Sequence, residues 1–283
     1  MPSDSCSSDW GRPSRFDDVL MRPVFIIGAS RSGTTLLQRL LLDLPDIAGG
    51  QETHFFSEFV DWLPSYRNLR DADRCTGFAC YATEQELVQM IRNTWRDLLL
   101  RVLEANPSAK ILLEKTPDHA RHVQDIKQVF PGARFIHVIR DGRDVALSLN
   151  RAYRDGWGKH WAPWTQVSAL CKWRRTVEAG LMASAFGPSS YLEVRFEALR
   201  ADPVATVSQV AGFLGLSSLA AADTSKDFGT EDAPWFGMDN PEPEGFIGKG
   251  TVFGWRRSLS PWRKFMAWQL VGDLLGDLGY PRR

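Results

Sequence analysis

Apolar positions along this chain fall into two alternating rhythms. Short β-branched and aromatic runs at 23–28, 110–114, 134–139 and 190–195 predict buried strands. Between them apolar residues return every three or four positions over roughly 33–44, 84–104, 118–129, 141–151, 165–185 and 202–214, which predicts helices. Strands alternating with helices predict a central, mostly parallel sheet flanked by helices, a three-layer α/β fold. At 283 residues the chain is long enough for one substantial core, so residues 21–283 read as a single domain. Residues 1–20 are dominated by Ser, Asp, Arg and Pro and read as a disordered leader. From about 219 to 250 the periodicity dissolves into Asp, Gly, Pro and Glu, a loop long enough to act as a lid. A last helix, about 260–278, carries Trp262, Phe265, Trp268, Val271 and Leu275 at helical spacing and is expected to pack back on the domain.

Two strand-to-helix junctions carry chemistry. In the first, Val24 to Ile27 form an apolar strand, Gly28 to Gly33 supply turn residues, and Leu36, Leu37, Leu40 and Leu41 recur at helical spacing. A helix therefore starts near Gly33, and its unpaired amides and dipole form an anion site at Ser32, Gly33, Thr34 and Thr35. An ATP-binding loop has Lys directly after its second Gly to reach the outer phosphates. Here Thr34 occupies that place and the cation is Arg31, inside the loop, whose planar fork suits a phosphate or sulfuryl group. The turn is P-loop-like in spacing, but Thr34 in the place of the lysine argues against ATP-dependent kinase chemistry. The second junction, Arg134 to Leu149, repeats the plan: an apolar strand, a basic turn from Arg140 to Arg143, then a helix carrying Ser148 eight residues past Arg140. Whether Arg140 and Ser148 reach one phosphate depends on how the strand bends into the helix. By itself this second motif is equally a solvated turn in which Asp141 caps the helix.

Composition narrows the partners. With 34 Lys and Arg against 34 Asp and Glu the net charge is zero, which argues against a general binder of nucleic acid, so any anion site is local. Eleven Trp and sixteen Phe can line a pocket for an apolar or ring-shaped molecule. Cys6, Cys75, Cys80 and Cys171 include no Cys-x-x-Cys pair and no histidines at ligand spacing, so neither a structural metal nor a disulfide framework is expected. The first twenty residues lack an apolar signal region, and no apolar stretch approaches the length of a bilayer. A cytoplasmic protein with reduced thiols and no stable membrane insertion is the expectation. Nothing in the chain reports on oligomeric state.

Together the two junctions resemble those of sulfotransferases that use 3′-phosphoadenosine 5′-phosphosulfate (PAPS). Ser30 to Thr35 is similar to their 5′-phosphosulfate loop, and Val138 to Ser148 to their 3′-phosphate segment, in the same order and separation. A third stretch, Gly248 to Trp255 and Arg256, is similar to their C-terminal Lys-Gly-x-x-Gly-x-Trp-Lys loop, with the inner Gly displaced by one position and Arg256 replacing the last Lys. Glu52 and Thr53, twenty-one residues after Arg31, match the branch of bacterial small-molecule and tyrosylprotein enzymes. The resemblance implies that Thr34 and Thr35 bind the 5′-phosphate, that Arg140 and Ser148 bind the 3′-phosphate with Lys249, Gly250 and Arg256 reinforcing that end, and that the product is 3′,5′-adenosine bisphosphate. Lys115, ending the strand-like Leu112-Leu-Glu-Lys run, corresponds to the family lysine that contacts the bridging oxygen or sulfuryl group. No divalent metal is implied, because arginine and lysine supply the charge.

Moving a sulfuryl group to a hydroxyl requires a base for the acceptor proton, positive charge at the leaving phosphate and in-line placement. Glu52 is the preferred base, with Arg31 and Lys115 as charge stabilisers. A carboxylate working near neutral pH needs burial to raise its pKa, and Phe55 and Phe56 are its apolar neighbours. His54 is the alternative base, or a substrate contact beside Phe55. Tyr153, Trp157, Trp161 and Trp164 follow the second junction and Trp235 and Phe236 lie in the lid. Such aromatic faces suit a sugar, a phenol or a lipid-like acceptor, and the same cluster is equally compatible with plain core. Two other readings stay open: an ATP-dependent P-loop kinase, and a nucleotide-binding protein without turnover.

Overall fold

The computed structural model describes residues 14–59, 80–216 and 250–282. The lid stretch up to residue 249, with Trp235, Phe236 and Lys249, lies outside the described residues, as does the leader before residue 14. A short helix α1 (Asp17–Leu20) precedes strand β1 (Val24–Gly28). Phe16 and Leu20 are buried in the core, which corrects the expected leader: the packed chain begins before residue 20, because two apolar side chains in a polar stretch suffice to anchor it.

After β1 come α2 (Thr34–Leu42), β2 (Ile47–Gly49) and a π-helical turn (Phe55–Phe59). Next are α3 (Glu84–Glu104), β3 (Ile111–Lys115), a 3₁₀ segment (Pro117–His122) and α4 (Val123–Val129). Then β4 (Arg134–Ile139), α5 (Gly142–Arg154), α6 (Gln166–Leu181), β5 (Tyr191–Arg195), α7 (Phe196–Ala201) and α8 (Pro203–Leu214). The chain closes with α9 (Trp255–Ser258) and α10 (Pro261–Asp277).

The five strands are all parallel in the order β2-β3-β1-β4-β5. Strand alternation explains the two layers of helix. Val24 and Ile26 of β1 face α2 and α8, whereas Phe25 and Ile27 face α1, α3 and α4. Each such side chain removed from water stabilises the fold by roughly 1.5–3 kcal/mol. A third apolar cluster joins α5, α6 and α10 beyond the end of β4. β1 pairs with β3 on one side and β4 on the other, and the chain leaves β1 and β4 toward opposite edges of the sheet. Their carboxyl ends therefore open at a topological switch point, where doubly wound sheets hold ligands.

Two differences from the periodicity have clear causes. β2 is only three residues long, too short to register as a run, and it ends in Gly49, which has no side chain to add to the apolar pattern. In α10, Val271 and Leu275 are buried as expected, but Trp262 and Phe265 are exposed and stack on each other with ring centroids 5.7 Å apart. They sit in the first turns of the helix, ahead of the stretch that meets α6.

α5 and α6 meet at Gly142, where a Cβ would lie 2.5 Å from the fully buried Trp173 ring. The same indole donates from Nε1 to the Arg140 carbonyl at 3.0 Å, so this contact also sets the second basic turn. Replacing Gly142 by Ala is expected to cost about 1–3 kcal/mol through overpacking, read as a lowered urea midpoint with Trp fluorescence as the probe.

Candidate functional site

The loop between β1 and α2 is built from conformations that side chains resist. Gly28 has φ 149° with the Val138 carbonyl 2.4 Å from where a Cβ would stand, and Gly33 has φ 94° with the Phe196 ring 2.4 Å from its absent Cβ. Between them Arg31 adopts a left-handed φ of 75°, a strained state that points to function. Among the described residues no side chain caps α2 at Gly33, and an uncapped helix start of this kind can receive an anion. Ser32 is fully buried and its Oγ has no hydrogen-bond partner, while Thr34 is buried and Thr35 half-buried beside it.

The second basic turn folds onto this loop. Arg31 Nε donates to Ser148 Oγ at 3.1 Å, and its guanidinium lies 5.1 Å from the Trp157 ring centroid. Arg140 donates from Nη1 to the Arg31 carbonyl at 2.8 Å and from Nη2 to the Thr251 carbonyl at 2.9 Å, and its guanidinium packs over Phe196. Its Nε is buried without a partner. The bend left open by the sequence thus brings Arg31, Arg140 and Ser148 into one contact chain. Asp141 caps α5 by accepting from Arg143 N and also pairs with the Arg143 side chain. The capping reading of this turn is therefore correct.

The C-terminal loop docks on the same place. Gly250 lies against Phe196, and Trp255 N donates to Asp144 Oδ1 at 2.7 Å. Asp144 Oδ2 is buried with no partner, and burial raises this carboxyl to about 6 despite the Trp255 amide and Arg140 acting the other way. Arg256 is exposed and lies over the Phe253 and Trp255 rings.

At the end of β3, one strand from β1, Lys115 Nζ meets Glu52 Oε1 at 2.5 Å. Glu52 Oε2 is 3.4 Å from His54 Nε2, and His54 Nδ1 is 3.8 Å from Glu58 Oε1. Both expectations about Phe55 are corrected. The Phe55 and Phe56 rings, expected beside Glu52 and, for Phe55, at the acceptor, lie buried in the core against Trp95 and each other. The Glu52 side chain is 35% exposed and meets an ammonium instead of hydrocarbon. Trp157 and Trp161 are half-exposed with ring centroids 5.4 Å apart, Trp164 is exposed, and Tyr153 is half-buried against the α5–α6 core.

The sequence reading passed over Glu114. It is 2% exposed and accepts hydrogen bonds from Thr53 N, Thr53 Oγ1, Thr116 Oγ1 and His119 Nδ1. The signal was present: a carboxylate inside an otherwise apolar strand, next to Lys115, must face the opposite side and find donors there.

A parallel sheet with a glycine-bordered loop into an uncapped helix, and a second basic turn beside it, defines an α/β fold of P-loop-like architecture. The family model described as Sulfotransferase family matches residues 23–220, and the chain belongs to that family. Protein-tyrosine sulfotransferase A of Caenorhabditis elegans is 25% identical over 68% of this chain and 50% of its own length. Omega-hydroxy-beta-dihydromenaquinone-9 sulfotransferase Stf3 of Mycobacterium bovis is 23% identical over 69% of this chain and 63% of its own. The chain thus spans only about half to under two thirds of the length of these curated relatives. The sulfotransferase domain of the Synechococcus PCC 7002 olefin synthase superposes with TM-score 0.59 at 22% identity, covering 89% of this chain and 94% of that domain. Among the described residues no group of three metal-ligating side chains occurs and no helix is long and apolar enough to cross a membrane.

The raised Asp144 carboxyl has a defined pH signature. Because its folded pKa lies above its ordinary value of 3.8, its ionisation costs nothing below about pH 4, and the cost develops as pH rises through about 6. Asp144→Asn is therefore expected to gain thermal stability relative to the native chain between pH 4 and 7, with a constant difference below pH 4, measured as Tm against pH.

Proposed function

We propose that this protein transfers a sulfuryl group from PAPS to a hydroxyl of a small natural product, glycan or lipid. The observation that carries the reading is the convergence of Glu52 and Lys115 at the end of β3, beside the strand that feeds the phosphate loop. The buried, unpartnered Ser32 Oγ and Arg140 Nε and the uncapped start of α2 fit a donor with two phosphate ends.

In this reading the amides of Gly33 to Thr35 with the Thr34 and Thr35 hydroxyls hold the 5′-phosphate. Arg140, Ser148, Lys249, Gly250 and Arg256 attend the 3′-phosphate. The donor supplies the sulfuryl group and departs as 3′,5′-adenosine bisphosphate. Glu52 accepts the acceptor hydroxyl's proton as the new oxygen–sulfur bond forms. Lys115 and Arg31 place positive charge where the sulfur–oxygen bond to the phosphate breaks. Trp157 and Trp161 offer flat apolar faces to the acceptor, a role supported by their exposure and by the contact of Trp157 with Arg31. Tyr153 and His54 complete the acceptor side.

Glu52→Gln is expected to lower transfer by about 10²–10⁴-fold, the range for loss of a general base, while binding 3′,5′-adenosine bisphosphate as tightly as the native chain in calorimetry. Undiminished turnover would remove Glu52 from the role. In a thermal-shift series the same bisphosphate is expected to stabilise the protein where ATP with magnesium does not; the reverse ranking would favour a kinase.

A further inference from the structure

We propose that Glu114 is a positioning residue for the Glu52 base, a buried carboxylate that templates the backbone of the segment immediately after it. The inference rests on the reading of Glu52 given above. Four consecutive amides, those of Thr53, His54, Phe55 and Phe56, all lead to this one side chain. Thr53 N donates to Glu114 Oε1 directly at 3.2 Å. His54 N donates to Thr116 Oγ1 at 3.2 Å, and that hydroxyl donates to Glu114 Oε1 at 2.6 Å. Phe55 N donates to Thr53 Oγ1 at 3.2 Å, and Thr53 Oγ1 donates to Glu114 Oε1 at 2.9 Å. Phe56 N donates to His119 Nε2 at 3.1 Å, and His119 Nδ1 is 2.8 Å from Glu114 Oε2.

The polarity of this network is determined. An amide can only donate, so His119 Nε2 carries the lone pair and Nδ1 the proton, which leaves Nδ1–H to donate to Glu114. Each hydroxyl accepts one amide hydrogen and has one hydrogen to pass on. Every bond therefore runs toward Glu114, and only a group that accepts at both oxygens satisfies the set. Burial opposes the anion, and the hydrogen bonds donated by His119, Thr116 and Thr53 favour it, so the carboxyl lies below its ordinary range. The latch also holds a strained conformation: His54 sits at a left-handed φ of 51°.

The function of the latch follows from the β3 pleat. Successive residues point to opposite faces, so Lys115 reaches Glu52 on one side while Glu114 secures the segment after Glu52 on the other. One strand end thus sets both the base's partner and the backbone from which the base projects.

The test compares Glu114→Gln, which keeps shape but puts an amide donor against a donor, with Glu52→Gln. Glu114→Gln is expected to lower kcat by about 10²-fold, the effect of displacing a catalytic group by about an ångström, with the KM for PAPS and affinity for 3′,5′-adenosine bisphosphate unchanged. The double variant is expected to be no slower than Glu52→Gln alone. Independently of turnover, hydrogen exchange at the amides of residues 53–56 is expected to accelerate about tenfold or more, with β1 and β4 amides unaffected. Thr116→Val, which cuts only the His54 link, is expected to accelerate exchange at His54, with Thr116→Ser restoring protection; this pair carries the test if Glu114→Gln does not fold. Native exchange at these amides, or a native kcat in Glu114→Gln while Glu52→Gln is inactive, overturns the proposal. Full activity in Glu52→Gln instead removes the base reading and leaves the exchange result to decide whether the latch exists.

Discussion

Arg140 donates to the carbonyls of Arg31 and Thr251 and so ties together three segments that are remote in sequence. A guanidinium with almost no exposure is costly to bury unless its donors are met, and here two are met by backbone rather than by carboxylate. Carbonyl partners leave the positive charge without a directly paired carboxylate, which suits the proposed role of Arg140 at a phosphate. Phe196 below the guanidinium and the Trp173 indole on the Arg140 carbonyl hold the clasp from two sides. The second basic turn is thereby part of the first loop's foundation.

The two halves of the site are stabilised by different means. The proposed phosphate side uses tight backbone: left-handed Arg31 and Gly33, and an uncapped helix start. The side proposed to carry the base uses a buried carboxylate as a common acceptor for a short run of backbone whose amides no strand or helix ladder could satisfy, since Glu52 to His54 lie between elements. Parallel pairing of β1 with β3 and with β4 aligns these halves at one edge of the sheet. Glu52, Lys115 and Arg31, the groups proposed for the chemistry, then come from separate segments, two loops and the end of β3, whose relative placement follows from strand register.

The chain's alternation of buried runs and helical stripes determined the three-layer fold, because apolar burial is periodic and local periodicity survives in sequence. It also exposed the glycine-bordered loop with Arg31, the Arg140 to Ser148 segment and Lys115 at a strand end, since each is a short motif read within one junction. Only the tertiary structure decided that Phe55 belongs to the core, that Trp262 and Phe265 stay outside it, and that Glu114 gathers the amides of residues 53–56. Those outcomes depend on which neighbours arrive from tens of residues away to cover an apolar face or supply a hydrogen-bond acceptor, and neither spacing nor composition records that arrival.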